Sequence, residues 1–272
     1  MNKTVFTFWE PRTSVPGYLR LCLETWRRSL PDWRIEVLDY DRLPAFLPQG
    51  EINEVVCRDM KLFNQADAIR CALLRRHGGV WLDLDTVILR PGALDRFTEG
   101  EASVICSGSG GVYGAFFAAV KPGAELMERW YGELVGRVAE FRFYRASLLR
   151  RLFRRKRWRR VRRWDFVLND IVDRMLPDFG PAQVAVHDEE ELHAHPETAF
   201  GQGLGSRKSR DVYADYWFSA PQPDDADVMS WATGGMVMLH NSWTPPEFRA
   251  MDETSFLATG CRLSKLIKEV LG

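Results

Sequence analysis

An α/β fold built on a mainly parallel central sheet follows from three features of the sequence. Two short apolar segments flank a helical one near the N-terminus, a long helical pattern is stopped by Gly78-Gly79, and strand-like residues follow that stop at once. At 272 residues, 46% of them hydrophobic and 12% aromatic, the chain can bury a substantial core, and its length suits one large domain at least as well as two small ones. A single domain over residues 1–272 is the expectation.

Thr4 to Trp9 is short, apolar and β-rich, ending at Glu10-Pro11, and Arg34 to Leu38 reads as a second strand after the Pro31-Asp32 turn. Tyr18 to Leu30 between them has helical spacing, so the opening is a βαβ unit, the usual start of a parallel sheet. From Leu62 to His77 the residues Leu62, Ala66, Ile69 and Leu73 recur at helical intervals, and Gly78-Gly79 supplies a left-handed stop. Val80, Leu82 and Leu84 then alternate with Trp81, Asp83 and Asp85, which puts both carboxylates on one face of a strand near its end. Open α/β sheets bind ligands at such strand ends.

Ser103 to Ala119 holds further strand material around SGSGGVYG, and Pro122 to Val138 reads as a helix. A basic insertion at about 138–176 follows, with helical character returning from Asp165 to Leu176. Glu197 to Asp227, rich in Gly, Pro and aromatics, reads as long loops over a site, and Met236 to His240 as one more strand.

Lys+Arg and Asp+Glu each number 37, so the global field predicts neither nucleic acid nor an acidic polymer as partner. The charge is uneven, however: no acid lies between Glu140 and Asp165, while arginines and Lys156 crowd that interval. Cys22, Cys57, Cys71, Cys106 and Cys261 are odd in number and lack close metal-ligand pairs, which argues for reduced thiols in a cytoplasmic protein and against a zinc site. The N-terminus has no stretch of signal-peptide length, and no apolar run approaches the roughly 20 residues that span a bilayer. The expected location is cytoplasmic, including the inner face of the cytoplasmic membrane.

Two carboxylates one residue apart on a strand face form an oxygen-rich site for a hard divalent cation with positions left for water and phosphate. A D-x-D triplet by itself is common, and a solvated strand end is its plain structural alternative. The surrounding run NQADAIRCALLRRHGGVWLDLDTVILRP is far more specific. It resembles the sugar-binding region of the D-x-D glycosyltransferases that include capsular-polysaccharide transferases, yeast initiating α-mannosyltransferases and large clostridial glucosylating toxins. Asp67, Arg70, Gly78, Gly79, Trp81, Asp83 and Asp85 stand in that family's order and spacing. Weaker likeness extends to Phe8-Trp9, to Tyr18 through Tyr40, and to His240-Asn241-Ser242-Trp243, while Val138 to Pro196 matches poorly.

The resemblance implies a GT-A type nucleotide-diphospho-sugar transferase that retains the anomeric configuration, and it implies the roles of the site residues. Phe8 and Trp9 lie near the donor base, Asp83 near the ribose, and Asp67 and Arg70 at hydroxyls of the donor sugar. Asp85 coordinates the metal together with His240 or Ser242, and Trp243 lies against the diphosphate. An imidazole ligand would favour Mn²⁺ over Mg²⁺. The implied donor is a UDP-sugar, with GDP-mannose as an alternative, and the acceptor a glycan or lipid-linked glycan. Without the resemblance, Asp67 and Arg70 read equally as an i,i+3 surface ion pair worth about 0.2–0.5 kcal/mol, and His240 as a structural hydrogen-bonding residue. His187, His193 and His195 read as surface loop. Gly114 stands where relatives commonly place an asparagine, and their Thr-Gly-Pro loop is not evident around Asn169-Asp170, which leaves the sugar open.

Two rival readings stand beside this one. VWLDLDTVIL also fits the Asp-x-Asp-x-Thr strand of haloacid-dehalogenase-type phosphohydrolases, although about eighty residues precede it here and no later Gly-Asp-x-x-x-Asp pair is convincing. A non-enzymatic membrane- or carbohydrate-binding module is the other. It would rest on Arg142 to Trp164, where Leu148, Leu149, Leu152 and Phe153 form an apolar stripe among cations. That composition suits an anionic membrane surface; an acidic partner and a merely solvated basic helix are the alternatives.

Overall fold

The computed structural model describes residues 2–98, 100–106, 111–188, 207–221 and 228–272. Contacts divide the chain into two compact units, each drawn from separate stretches of sequence. The first comprises Met1–Phe8, Glu36–Leu82 and Phe97–Val186, the second Trp9–Ile35, Asp83–Arg96 and His187–Gly272.

The first unit is an α/β layer around a six-stranded sheet. Its strands are β1 (Thr4–Phe8), β2 (Arg34–Leu38), β3 (Gly79–Leu82), β5 (Ala102–Cys106), β6 (Val112–Ala119) and β7 (Val184–Asp188), in the order β2-β1-β3-β6-β5-β7. The parallel expectation holds for β1 with β3, where Val5 faces Val80 and Phe6 faces Trp81. Beyond β3 the sheet turns antiparallel, with Trp81 opposite Phe117 and Val104 opposite Phe117 on the other side. Val5, Phe6, Val80, Trp81, Phe116 and Phe117 are all buried, so these central strands are covered on both faces. That is why they read as continuous apolar runs rather than as alternating ones.

Helix α3 (Leu62–His77) spans the predicted residues and packs across β1, β3 and β6. Gly78 ends it at φ +65°, and Gly79 follows at φ +93°. A Cβ on Gly79 would lie 2.5 Å from Thr4 O, so the close approach of β3 to β1 needs glycine there. Helix α4 (Glu125–Arg145) runs beyond the predicted end at Val138 and packs against α3. Trp130 stacks 5.0 Å from Phe117 and donates from Nε1 to Val167 O at 2.8 Å. Helix α2 (Gln49–Val55), not foreseen from the sequence, is tied to α3 through Glu51, which accepts from Arg75 and Arg76, and to α4 through Glu54, which accepts from Tyr131. Polar bridges of this kind leave no periodicity for sequence reading to detect.

Within the basic insertion lie two short helices, α5 (Leu148–Phe153) and α6 (Arg155–Arg160), separated where Arg154 adopts φ −115° and ψ 42°. The next helix, α7 (Asn169–Met175), starts four residues later than predicted, because Asp165 to Leu168 form an irregular buried segment instead.

In the second unit, α1 (Gly17–Ser29) lies against a two-stranded antiparallel sheet of β4 (Thr86–Ile88) and β8 (Met236–Met238). Trp26 Nε1 donates to Thr86 O at 2.7 Å, and the backbone N–H of Ile88 donates to Thr25 Oγ1 at 3.0 Å. Helices α8 (Arg207–Phe218), α9 (Val228–Trp231), α10 (Pro246–Arg249), α11 (Glu253–Ala258) and α12 (Arg262–Leu271) complete it. The loop expected over Glu197 to Asp227 is corrected in its middle, where α8 forms; 197–206 and 222–227 lie outside the described residues. Tyr213 and Trp217 of α8 are buried, and that apolar face stabilises a helix which the surrounding Gly and Pro content concealed.

Candidate active site

The two carboxylates do not sit on a strand as expected. β3 ends at Leu82, Leu84-Asp85 make a turn, and β4 resumes at Thr86. The alternation nevertheless survives, with Leu84 buried and Asp83 and Asp85 each partly exposed. Beyond the break, the ladder from β4 to β8 continues through Leu239 N–H, which donates to Asp85 O at 2.7 Å.

That ladder brings the C-terminal landmark to the motif. The backbone N–H of Asn241 donates to Asp85 Oδ2 at 2.7 Å, and Asn241–Trp243 form a single 3-10 turn. Tyr18 of α1 donates to Asn241 Oδ1 at 2.6 Å and meets Thr244 Oγ1 at 3.2 Å. Tyr213 of α8 accepts at its hydroxyl from the backbone N–H of His240 at 2.9 Å. The His240 ring stacks on Trp243 with centroids 4.3 Å apart, and Tyr213 lies 5.6 Å from Trp243 edge-on. Asp83, Asp85, His240 and Trp243, far apart in sequence, therefore belong to one unit, and Ser242 is exposed on the same turn. Trp9 also belongs to this unit, where its Nε1 donates to Ser14 Oγ at 3.4 Å.

Burial governs the electrostatics of this cluster. Burial and the neighbouring Asp83 carboxylate push Asp85 up to about 7, against the opposing pull of the Asn241 N–H. The same burial, with Asp85 nearby, raises the Cys22 thiol and the Tyr18 and Tyr213 hydroxyls, so these groups stay neutral. Burial lowers His240 to about 4, which leaves a neutral imidazole, the form that ligates metals. Among the described residues, no three His, Cys, Asp or Glu side chains gather as a complete metal cage. The donor set thus fits a hard divalent ion that takes one or two carboxylates and completes its shell from phosphate oxygens and water.

The first unit holds Asp67, Arg70 and Phe8. Phe8 is buried and packs edge-on against Tyr40 at 5.1 Å. The Asp67–Arg70 pair is not a surface ion pair: its 3.3 Å contact has the Arg70 side chain only 3% exposed. Arg70 also donates to Gly114 O and lies over the rings of Trp81 at 4.7 Å and Phe117 at 5.7 Å. A Cβ at Gly114 would come within 3.3 Å of Arg70 Nη1, so the glycine leaves room for the guanidinium.

Some contacts at these places escaped sequence reasoning. Tyr18, Tyr213 and Asn241 hold the second unit's cluster, and nothing in their spacing links them. In the first unit, Asp173 Oδ1 accepts from Val112 N–H at 2.8 Å, and Asn169 Nδ2 donates to Val112 O at 2.7 Å, so α7 clamps the start of β6. The run Asn169-Asp170-Ile171-Val172-Asp173, with polar ends one helical turn apart, was the available signal. His187 lies on β7 rather than in a loop, whereas His193 and His195 fall outside the described residues.

Comparison with known proteins bears on the class. Residues 1–108 match the family model described as capsular polysaccharide synthesis protein, a stretch holding Asp67, Arg70, Asp83 and Asp85. Curated proteins give no match. Eight solved chains match in structure. The PaToxG glycosyltransferase is 11% identical with a TM-score of 0.41, covering 65% of this chain and 68% of its own. Galactosyltransferase LgtC in complex with donor and acceptor sugar analogs is 11% identical with a TM-score of 0.42, covering 94% and 95%. An active-site mutant of LgtC is 10% identical with a TM-score of 0.39, covering 94% of each chain. Structural likeness this distant carries no argument about chemistry. The family match covers less than half of the chain, the stretch that also carries the motif resemblance.

Proposed function

We propose that this enzyme moves a sugar from a nucleoside-diphosphate donor to a glycan or lipid-linked glycan with the help of a divalent cation. The observation that carries the reading is the Asp83–Asp85 pair, in which the backbone of Asn241 fixes one carboxylate, and burial together with the charge of the other raises its proton affinity. Two carboxylates held together against their repulsion are stabilised by a cation between or beside them. When bound, the ion supplies Lewis-acid stabilisation of the negative charge that develops on the departing diphosphate.

The chain's own residues have the following roles in this proposal. Asp85 anchors the cation, with His240 or Ser242 as a further ligand; a neutral His240 supports Mn²⁺ over Mg²⁺. Asp83 receives the ribose, Phe8 and Trp9 the base, and Trp243 the diphosphate. Asp67 and Arg70 orient the sugar hydroxyls, a role supported by the locked guanidinium of Arg70. Transfer proceeds by front-face displacement with retention, from a UDP-sugar or from GDP-mannose. Residues 1–272 act as a single catalytic domain in the cytoplasm, peripheral to the inner face of the membrane. No helix among the described residues is long and apolar enough to cross a membrane.

The test is turnover and binding across a panel of nucleotide sugars with Mn²⁺, Mg²⁺ or chelator, for the native chain and Asp85→Ala. Cation-dependent turnover of one donor, abolished in Asp85→Ala with the fold intact, is the expected result, and NMR of the product's anomeric proton reads the stereochemistry. Hydrolysis of phosphate esters with no donor bound would replace the reading with the phosphohydrolase one.

A further inference from the structure

The first unit carries a surface that sugar transfer does not use. Phe143 at the end of α4, Leu148, Leu149, Leu152 and Phe153 of α5, and Trp164 are exposed, Phe153 by 82%. Leu148 with Leu152, and Leu149 with Phe153, stand one helical turn apart, so these four side chains lie along neighbouring rows of one short helix. No residue of α5 is buried. An exposed apolar cluster of this kind, rimmed by charge, marks an interaction site.

The rim is cationic. Arg145, Arg157, Arg160 and Arg163 have carboxylate partners in Asp59, Glu140, Asp170 and Asp165. Arg150, Arg154, Arg155, Lys156 and Arg159 have none among the described residues, and Arg150 instead covers the Phe143 ring at 3.9 Å. The surface therefore combines uncompensated positive charge with side chains that water solvates poorly.

A cavity of about 300 Å³ adjoins it, with Lys61, Asn64, Arg145, Arg151, Trp158 and Arg162 in its wall. Asp59 is also there, already engaged by Arg145 at 3.4 Å. Asn64 is 2% exposed and donates from Nδ2 to Arg163 O at 3.2 Å. Its Oδ1, an acceptor, and Arg151 Nε, a donor, are buried without a hydrogen-bond partner. Buried polar atoms are ordinarily satisfied, so an unmatched donor and acceptor in the wall of one cationic cavity call for a ligand with both an anionic oxygen and a hydroxyl.

We propose that the α5–α6 segment docks this chain on an anionic lipid surface, and that the cavity seats the phosphate and hydroxyl of one hydroxylated headgroup. A soluble nucleic acid would engage the same cations but leave Leu148, Leu149, Leu152 and Phe153 in water; a bilayer interface covers both. The inference goes beyond sugar transfer and stands whether or not the donor assignment does, because its readout is vesicle binding.

The experiment is co-sedimentation of the full chain with phosphatidylcholine vesicles, with and without about 30% phosphatidylglycerol. Binding is expected only with the anionic lipid, weakening at least about tenfold as salt rises from about 0.1 to 0.5 M. Each cation near such a surface contributes about fivefold in partitioning, so Arg154→Gln/Arg155→Gln/Lys156→Gln should bind about 100-fold more weakly with unchanged melting. Leu149→Ser/Phe153→Ser, also on exposed positions, should lose binding as well. Asn64→Leu should weaken binding to phosphatidylglycerol more than to phosphatidic acid, which lacks the glycerol hydroxyls. Equal binding to neutral vesicles, no binding, or binding indifferent to the triple variant would overturn the proposal. So would tight capture of RNA or heparin that survives Leu149→Ser/Phe153→Ser while vesicles are ignored.

Discussion

Replacing Asp85 with asparagine should make the cation-free protein more stable while abolishing activity. Asp85 is raised from the ordinary carboxylate range to about 7 by burial and by Asp83. A raised folded-state value means that its contribution to stability is fully present below the unfolded value of about 3.9 and is lost as pH climbs through about 7. A shift of roughly three units corresponds to at most about 4 kcal/mol at pH 8. Asparagine keeps an oxygen for the Asn241 N–H but carries no charge, so Asp85→Asn should recover part of that cost. For a chain of this size about 2–4 °C accompanies each kcal/mol, which bounds the gain in melting temperature at about 16 °C. The assay is thermal melting of both proteins in chelator from pH 4 to pH 8, then with Mn²⁺. The gap between them should be near zero at pH 4 and widest above pH 7, and Mn²⁺ should stabilise the native chain far more than the variant. A variant that melts lower at every pH, or equal stabilisation of both by Mn²⁺, would refute the view of Asp85 as a strained, cation-seeking carboxylate.

Three further outcomes follow from particular contacts. Arg70→Lys replaces a planar guanidinium, held by Asp67 and Gly114 O and stacked over Trp81, with a point charge; turnover should fall at least about tenfold and stability by about 1–3 kcal/mol, read by donor kinetics and denaturant titration. Tyr18→Phe removes the hydroxyl that holds Asn241 and Thr244; calorimetry should show about 1–2 kcal/mol lost together with weaker Mn²⁺ binding, whereas unaltered Mn²⁺ affinity would dissociate that loop from the cation site. Glu253 is held down to about 2 by Arg20, a lowered folded-state value whose contribution is present above about 4.3 and lost as pH falls through about 2. With these side chains 42% and 39% exposed, screening limits it to about 1 kcal/mol, so Glu253→Gln should cost that much at pH 7, and about half of it in high salt.

Local physics made much of this chain legible from its sequence. Leu62 to His77 announce a helix by apolar spacing, Gly78-Gly79 announce its end, and the structure keeps both boundaries. The strands at Thr4 and Arg34 and the alternation of Leu82 and Leu84 with the two carboxylates are readable for the same reason. The single-sequence pattern also singled out Asp67, Arg70, Asp83 and Asp85, the residues that carry the proposed function.

Only the tertiary structure decided what those residues meet. The predicted strand breaks at Asp83, and the ladder between β4 and β8 sets Asn241 on Asp85, across more than half the chain. Burial under Trp81 and Phe117 turns a surface-type Asp67–Arg70 pair into a fixed internal one. Burial likewise gives Asp85 and His240 their altered proton affinities. Helix α8, with Tyr213 and Trp217 buried, is a further case in which packing overrode composition. Sequence fixes which groups are present and their spacing along the backbone; desolvation and close approach, which set their charge and strength, exist only once distant segments fold together.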